Sequence, residues 1–546
     1  MVAVCLKALH RRLTPLLRKS LAPLISILVL TAWLGSAGEP PPDFLWAAKA
    51  GGSDIDTGYS VAADASGNVY VTGFFSATAT FGKTNLSSSG LEDVFVAKYD
   101  AAGTLQWVRQ AGGTAYDEGL GIAVDGTGNV FVTGFFQGNA SFGPTNLTST
   151  GKSDVFVAKY DPAGNLVWVS LAGSRDDDVA SAIALDTASN VYVTGYFDGT
   201  ARFGNNVLAN FSGSDDIFVA KCDSAGHFLW ARSAGGTNDD AGNGIAVDAA
   251  NNVYVTGAFA GAATFASTNL AGTGTNGLSD IFVAKYDSSG SLLWVRQAGG
   301  TNEDQGDAIA ADAAGNAYVT GKIFGAAAFG DTNVIGRGVD VFLVKYDSAG
   351  NLLWARVAGG NNSIYGDGGF GVTLDPMGNP CVAGYFSGIA NFGPTNVPTA
   401  GLDDIFVAKY DDAGNLLWVR QAGGSDLDVG YAIAGDTAGN LYLTGIFVAT
   451  ATFGTTNLTT SSPSPDRDIF VTKLGLVTPP KLTIGRAGGD LLLSWPAAAL
   501  GFRVESTDQL PATNWIDLST SSKLLGPSNI LMLSPTTQQN FFRLIK

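Results

Sequence analysis

Histidine is nearly missing from this chain of 546 residues, which holds only His10 and His227. His227 is the one outside the N-terminal leader, and it sits in the turn phrase "DSAGHFLW". A Ser–His–Asp triad or a histidine-based zinc centre therefore has almost no material. Cysteine is equally scarce. Past the leader only Cys222 and Cys381 remain, and each replaces a tyrosine of a recurring phrase, "FVAKCD" for "FVAKYD" and "NPCVAG" for "NVYVTG". They read as buried small apolar residues, not a disulfide. Glutamate is confined to Glu39, Glu92, Glu118, Glu303 and Glu505 among 48 acids. The rest are aspartate, which favours turns where glutamate favours helices. With 72 glycines, that bias predicts many strands joined by tight turns. No glycine motif leads from a strand into a helix, so no phosphate cradle is visible.

The leader spans 1–37. Lys7, Arg11, Arg12, Arg18 and Lys19 form a basic start, Leu21 to Leu34 an apolar stretch, and "GSA" ending at Ala37 a cleavage signal. The apolar stretch is short for a membrane span. Export after cleavage is the expectation, to the cell surface, the medium or the periplasm, with an uncleaved anchor as the alternative. Loss of the five leader cations takes the formal charge from −17 to −22. Such a surface repels phosphate backbones, which makes nucleic acid a poor partner.

What the chain has in abundance is repetition. One tryptophan recurs as Trp46, Trp107, Trp168, Trp230, Trp294, Trp354 and Trp418, at spacings of 60 to 64 residues. The glycine of "VTG" recurs from Gly73 to Gly445, and the lysine of "FVAKYD" from Lys98 to Lys473. One unit reads as four strands: A, "GIAVD" at 121–125; B, "NVFVTGFF" at 129–136; C, "DVFVAKYD" at 154–161; D, "NLVWVSLAG" at 165–173. Strands B and C are apolar on both faces, so the sheet must be covered on both sides. Strand A is rich in Gly and Ala, as suits a strand near a crowded axis. These features predict an all-β fold, a seven-bladed β-propeller over 43–475. The order begins with a lone strand D, "DFLWAAKAGG" at 43–52, and ends with a lone strand C, "DIFVTKLG" at 468–475. The first strand is therefore expected to complete the last blade and close the ring.

The recurring combination "GIAVD…GNVYVTG.F……FG..NL…G..DVFVAKYD..GNLLWVRQAGG" resembles the bacterial seven-bladed β-propeller (SBBP) repeat, a fold family without common catalytic residues. Past a linker at 476–480, residues 481–546 break the pattern. "LLLSWP…GFRVEST" resembles a short fibronectin type III-like β-sandwich module, with Trp495 as its core tryptophan.

Strands that alternate in direction put the A–B and C–D turns at one end and the B–C loops and D–A turns at the other. The first end has short uniform turns such as "DGTGN" and "DSAGN", where aspartate caps and glycine supplies positive φ. The second end has long loops built on "FGKTNL"-type motifs, whose Phe81 and Phe142 are expected to pack and whose remaining residues differ between units. It also carries an aspartate in every D–A turn: Asp56, Asp117, Asp178, Asp240, Asp304, Asp367 and Asp428. These read as caps of strand backbone or partners of the Lys98-type lysines. The competing reading is calcium, with Asp54, Asp56, Asp426 and Asp428 as ligands at alternate positions of "DIDTG" and "DLDVG". The functional expectation is a monomeric, non-catalytic binding scaffold for a protein or polysaccharide, acting through the second end. A carbohydrate-active enzyme using two aspartates and a calcium-stiffened structural or adhesion protein are the alternatives.

Overall fold

Strands B and C form the apolar centre of each unit. In the strand Val130–Phe142, the residues Val130, Phe131 and Val132 are all fully buried although successive side chains point to opposite faces. The structure is a computed structural model. It describes residues 41–211, 214–274, 277–360, 366–461 and 466–476, and in the C-terminal part 482–487, 490–496, 503–507, 516–518, 523–525, 528–533 and 541–545. The leader 1–37 and the linker residues 477–480 lie outside these. Every named element of the described residues is a β-strand.

Each unit is an antiparallel sheet in the order A–B–C–D. In one, Asp117–Val124 pairs with Val130–Phe142, which pairs with Thr145–Tyr160, which pairs with Leu166–Ala172. The inner strands A stand side by side, and the last, Asp428–Gly435, lies against the first, Asp56–Ala63. The strand Asp43–Gly52 pairs with Arg467–Gly475, from Asp43 opposite Gly475 to Ala50 opposite Ile469. Chain entry is fixed by Arg420, whose guanidinium donates to the carbonyls of Pro42 (2.8 Å) and Pro41 (3.1 Å).

Neighbouring units are joined twice. The first joint corrects the picture of B–C connections as loops. Their distal halves are β-hairpins that add to strand D of the preceding unit: Ala50 pairs with Phe81, and Ala111 with Phe142. The glycine of "FG" makes the two-residue tip, with φ +57° at Gly82. The phenylalanine before it is buried and packs on the phenylalanine of strand C, as in Phe81–Phe95 (4.9 Å) and Phe453–Phe470 (4.9 Å). Burying one such ring contributes about 1.5–3 kcal/mol.

The second joint is the tryptophan of strand D. Trp107 donates its indole N–H to Pro162 O (3.1 Å) in the next unit, while Arg109 holds Gly164 O (2.8 Å) and Ala163 O (2.9 Å). Gly164 has φ +81°, and a Cβ there would lie 2.8 Å from the Trp107 ring. The ring thus lies flat on a glycine that no other residue could replace without strain. Trp418 precedes the split unit, and its indole N–H has no partner among the described residues.

Cys222 and Cys381 are buried thiols in strands C and B of different units. The C-terminal part forms its own body, apart from 38–476. It has one antiparallel sheet of Thr483–Ala487, Asp490–Pro496, Ser528–Leu533 and Lys523–Leu525, and a second of Ile516–Asp517, Arg503–Thr507 and Phe541–Ile545. Leu493, Trp495 and Leu531 of the first sheet and Val504 of the second share one buried cluster.

Candidate ligand-binding face

The two ends of the ring are furnished differently, and at the uniform end the turn aspartates are committed to structure. Asp125 is typical of its A–B turns. One oxygen accepts the N–H of Thr127 (2.9 Å) and Asn129 (3.0 Å), and the other accepts the Asn129 amide (2.8 Å). Burial pushes its pKa up, but these hydrogen bonds outweigh burial and bring it down to about 2. The Lys98-type lysines belong here too, which corrects the expectation that they partner the D–A aspartates. Lys409 pairs with Asp375 (2.7 Å) and Lys221 with Asp186 (3.7 Å), while Lys98 lies 5.2 Å over the Tyr70 ring. The reason is register: Lys98 sits opposite Tyr70, whereas Asp56 is aligned with Phe75 at the far end of the same strand. His227 also lies at this end, exposed, with Nδ1 3.0 Å from Asp223.

At the other end the D–A aspartates cap backbone. Asp117 accepts the N–H of Gly113 (2.7 Å) through one oxygen and of Gln137 (3.1 Å) through the other. Each of them faces a second buried acid that the sequence had shown only as the start of strand C. A Cβ on Gly112 would lie 2.6 Å from Asp93 and 3.0 Å from Asp117, so both carboxyls close on one bare glycine. The same pairing joins Asp56 with Asp468 and Asp428 with Asp404. Among the described residues the inner oxygens of Asp93, Asp154, Asp216, Asp280, Asp404 and Asp468 have no hydrogen-bond partner. Burial, helped by the neighbouring carboxylate, pushes Asp117 up to about 7 and Asp56, Asp178 and Asp428 up to about 8.

The four calcium candidates are divided by this arrangement. Asp56 and Asp428 are buried and accept backbone N–H groups of Gly52 and Gly424 (2.7 Å each). Asp54 is exposed and Asp426 half-buried, each accepting the N–H of the next residue (3.1 Å). Among the described residues no three Asp, Glu, His or Cys side chains are grouped to hold a metal ion.

The residues that differ between units gather at the axis of this end. In every unit the A–B ladder slips by one residue, between Gly58 and Ser60 in the first and between Gly306 and Ala308 in a later one. The residue left over is a β-bulge, a device that re-aims a side chain. It is aromatic at Tyr59, Phe370 and Tyr431, polar at Ser181, Asn243 and Asp307, and aliphatic at Leu120. All of them line one axial cavity of about 260 Å³. Phe370 and Tyr59 each lie 5.5 Å from Tyr431, a continuous arc of rings. Beside it, Glu118 is pushed up to about 8 by burial and by Glu92. Sequence reading passed over these positions because a single variable residue after a small one, glycine in six units and Ala180 in the other, has no period. Farther from the axis, Ile55, Leu91, Tyr116 and Leu402 are exposed in one sector, whereas Asp177, Asp239 and Glu303 occupy the D–A turns of another.

Four stretches, 45–73, 106–134, 167–199 and 293–325, match the SBBP β-propeller repeat. Over 508 residues the chain is 26% identical to an uncharacterized WD repeat-containing protein of Acanthamoeba polyphaga mimivirus, covering 74% of this chain and 36% of that protein. It is 34% identical over 138 residues to the regulatory protein FlaEY of Caulobacter vibrioides, covering 24% of this chain and 14% of that protein. The chain thus spans little more than a third of the length of the first relative and about a seventh of the second. Among solved structures, Sqt1 from Chaetomium thermophilum aligns over 83% of this chain and 96% of its own at 10% identity, with a TM-score of 0.36. The matched stretches run from the strand-D tryptophan into strand B, the same register as the strand pairing, and the chain carries SBBP β-propeller repeats there.

Proposed function

We propose that the chain is an exported, non-catalytic binding scaffold. It is built as a seven-bladed ring whose split blade is completed by residues 43–52, followed in sequence by a fibronectin type III-like module. Its ligand, a protein or polysaccharide, docks on the end that carries the D–A turns and hairpin bases. One observation carries this reading. Residues repeated in every unit lock the other end and the joints between units, while residues that differ between units collect at this end. Structure needs sameness in a ring, and recognition needs difference. The exposed Ile55, Leu91, Tyr116 and Leu402 give that end an apolar sector of the kind interfaces use.

The test is an array of purified polysaccharides and surface proteins read with the full chain and two variants. Leu91→Ser with Tyr116→Ser should weaken a specific signal about tenfold or more while the melting curve stays in place. Thr127→Lys in an A–B turn should leave it unchanged. A ligand sensitive only to the second variant would overturn the assignment of the face.

A further inference from the structure

We infer that the axial cavity binds a small organic cation, an alkylammonium or quaternary ammonium ion. The inference concerns a different site from the sector holding Leu91 and Tyr116, and shares with the reading above only the end of the ring.

The cavity walls are arranged by charge. Following the inner strands in order, Asp307 is succeeded by Phe370, Tyr431 and Tyr59, so a carboxyl group stands at one end of an aromatic arc. The rings are tilted to one another, by 37° for Phe370 and Tyr431 and by 55° for Tyr59 and Tyr431. Tilted faces on adjacent walls enclose a round group. A sugar ring stacks instead on a single flat platform. The negative faces of such rings attract a cation, most strongly where water is excluded.

Asp307 supplies the second half of the argument. Asp307 is half-buried and lines the cavity, and its buried Oδ2 has no hydrogen-bond partner among the described residues. A carboxyl in that state calls for a cation or a proton. The nearest basic group, Lys322, lies 3.9 Å from Glu303 and makes no ion pair with Asp307 among the described residues. Burial accordingly pushes Asp307 up to about 7, with Lys322 opposing. Among the described residues no lysine or arginine lines the cavity. Beyond its lining, Glu118 and Glu92 face each other and feel the opposing charge of Arg467. From the adjacent inner strand Asn243 donates to Gly306 O (3.0 Å), which ties down the strand that presents Asp307. A volume of about 260 Å³ suits a group the size of tetramethylammonium or n-butylammonium and is small for an oligosaccharide.

The experiment is calorimetric titration of the full chain at constant ionic strength. The probes are tetramethylammonium, n-butylammonium, the neutral isostere 3,3-dimethyl-1-butanol and a lysine-containing hexapeptide. Saturable binding of the two cations is expected, with the neutral alcohol about tenfold weaker or absent. Asp307→Asn, which keeps the shape and removes the charge, should weaken the cations about tenfold with the melting temperature held or raised. Tyr431→Leu should weaken tetramethylammonium about threefold or more, and Leu120→Ala should change little. Absence of saturation, equal binding of the alcohol, or full affinity in Asp307→Asn would overturn the inference. A tenfold preference for the hexapeptide would also overturn it, by moving the ammonium group onto a protein partner. None of these outcomes bears on Leu91→Ser with Tyr116→Ser, so the two readings fail separately.

Discussion

The two ends of the ring solve opposite problems with the same residue. At the A–B turns an aspartate such as Asp125 accepts hydrogen bonds from its own turn, and its pKa lies near 2. At the opposite end an aspartate such as Asp117 is buried against Asp93, and its pKa lies near 7. One end stabilises the carboxylate and the other resists it. Aspartate is therefore not one signal in this sequence. Whether its carboxyl reaches donors in its own turn, or another acid across a bare glycine, decides what it does.

The strongest way to break the comparison is to remove residues 43–52. This strand carries Trp46 at the uniform end and Ala50 to Gly52, which pair with the neighbouring hairpin. Its loss exposes the edge of Arg467–Gly475 and removes the strand that places Pro41 and Pro42, the carbonyl partners of Arg420. A fall in melting temperature on the order of 10 °C or more, with new aggregation, is expected in thermal scans. An unchanged scan would show that the ring does not depend on closure.

A pH series separates the ends. The paired acids have folded pKa values raised from 3.8 to about 7 and 8, so they bind protons more tightly folded than unfolded. Their contribution is full below pH 4 and is lost as pH rises through about 6 to 8. Asp125, with a lowered folded pKa, contributes above pH 4 and loses its contribution as pH falls through about 2. The melting temperature should therefore fall on both sides, and Asp117→Asn should flatten the alkaline limb alone. An alkaline limb identical in the variant would sink the acid-pair account.

Two single substitutions sharpen the local claims. Gly103→Ala places a Cβ 2.7 Å from the Trp46 ring at φ +81°, and should cost about 1–3 kcal/mol in denaturant unfolding. The smallest effect is of opposite sign. Ala266 adopts φ +52° where most hairpin tips have glycine, so Ala266→Gly should stabilise by about 0.5–1 kcal/mol. No gain in midpoint would mean that the tip relaxes around alanine.

Much of this architecture was legible in the residues because it recurs. The strand order, the capped turns and the lone first and last strands all follow from phrases that repeat. The lysine partner was misread although Lys98 stands two residues before the C–D turn aspartate Asp100; register then puts it beside Tyr70, far from Asp56. The acid pairs were half legible, since Asp117 meets Asp93 across a strand and a turn. The bulge residues were invisible because one extra residue per ladder leaves no trace in a period of two. The hairpins looked like loops because their "TNL" return strands carry few strand-forming residues.

The split unit sets a condition on how the molecule is made. Thr472 donates to the carbonyl of Trp46 across 426 residues of sequence. A chain that emerges from its N-terminus must hold Asp43–Lys49 unpaired until Arg467–Gly475 arrives. Contacts of such separation form slowly, because loop closure precedes any return from them. Individual units can fold as they appear, but the ring is completed in one late step. Refolding should accordingly show a slow final phase, which a circular permutant joining residues 475 and 43 would shorten.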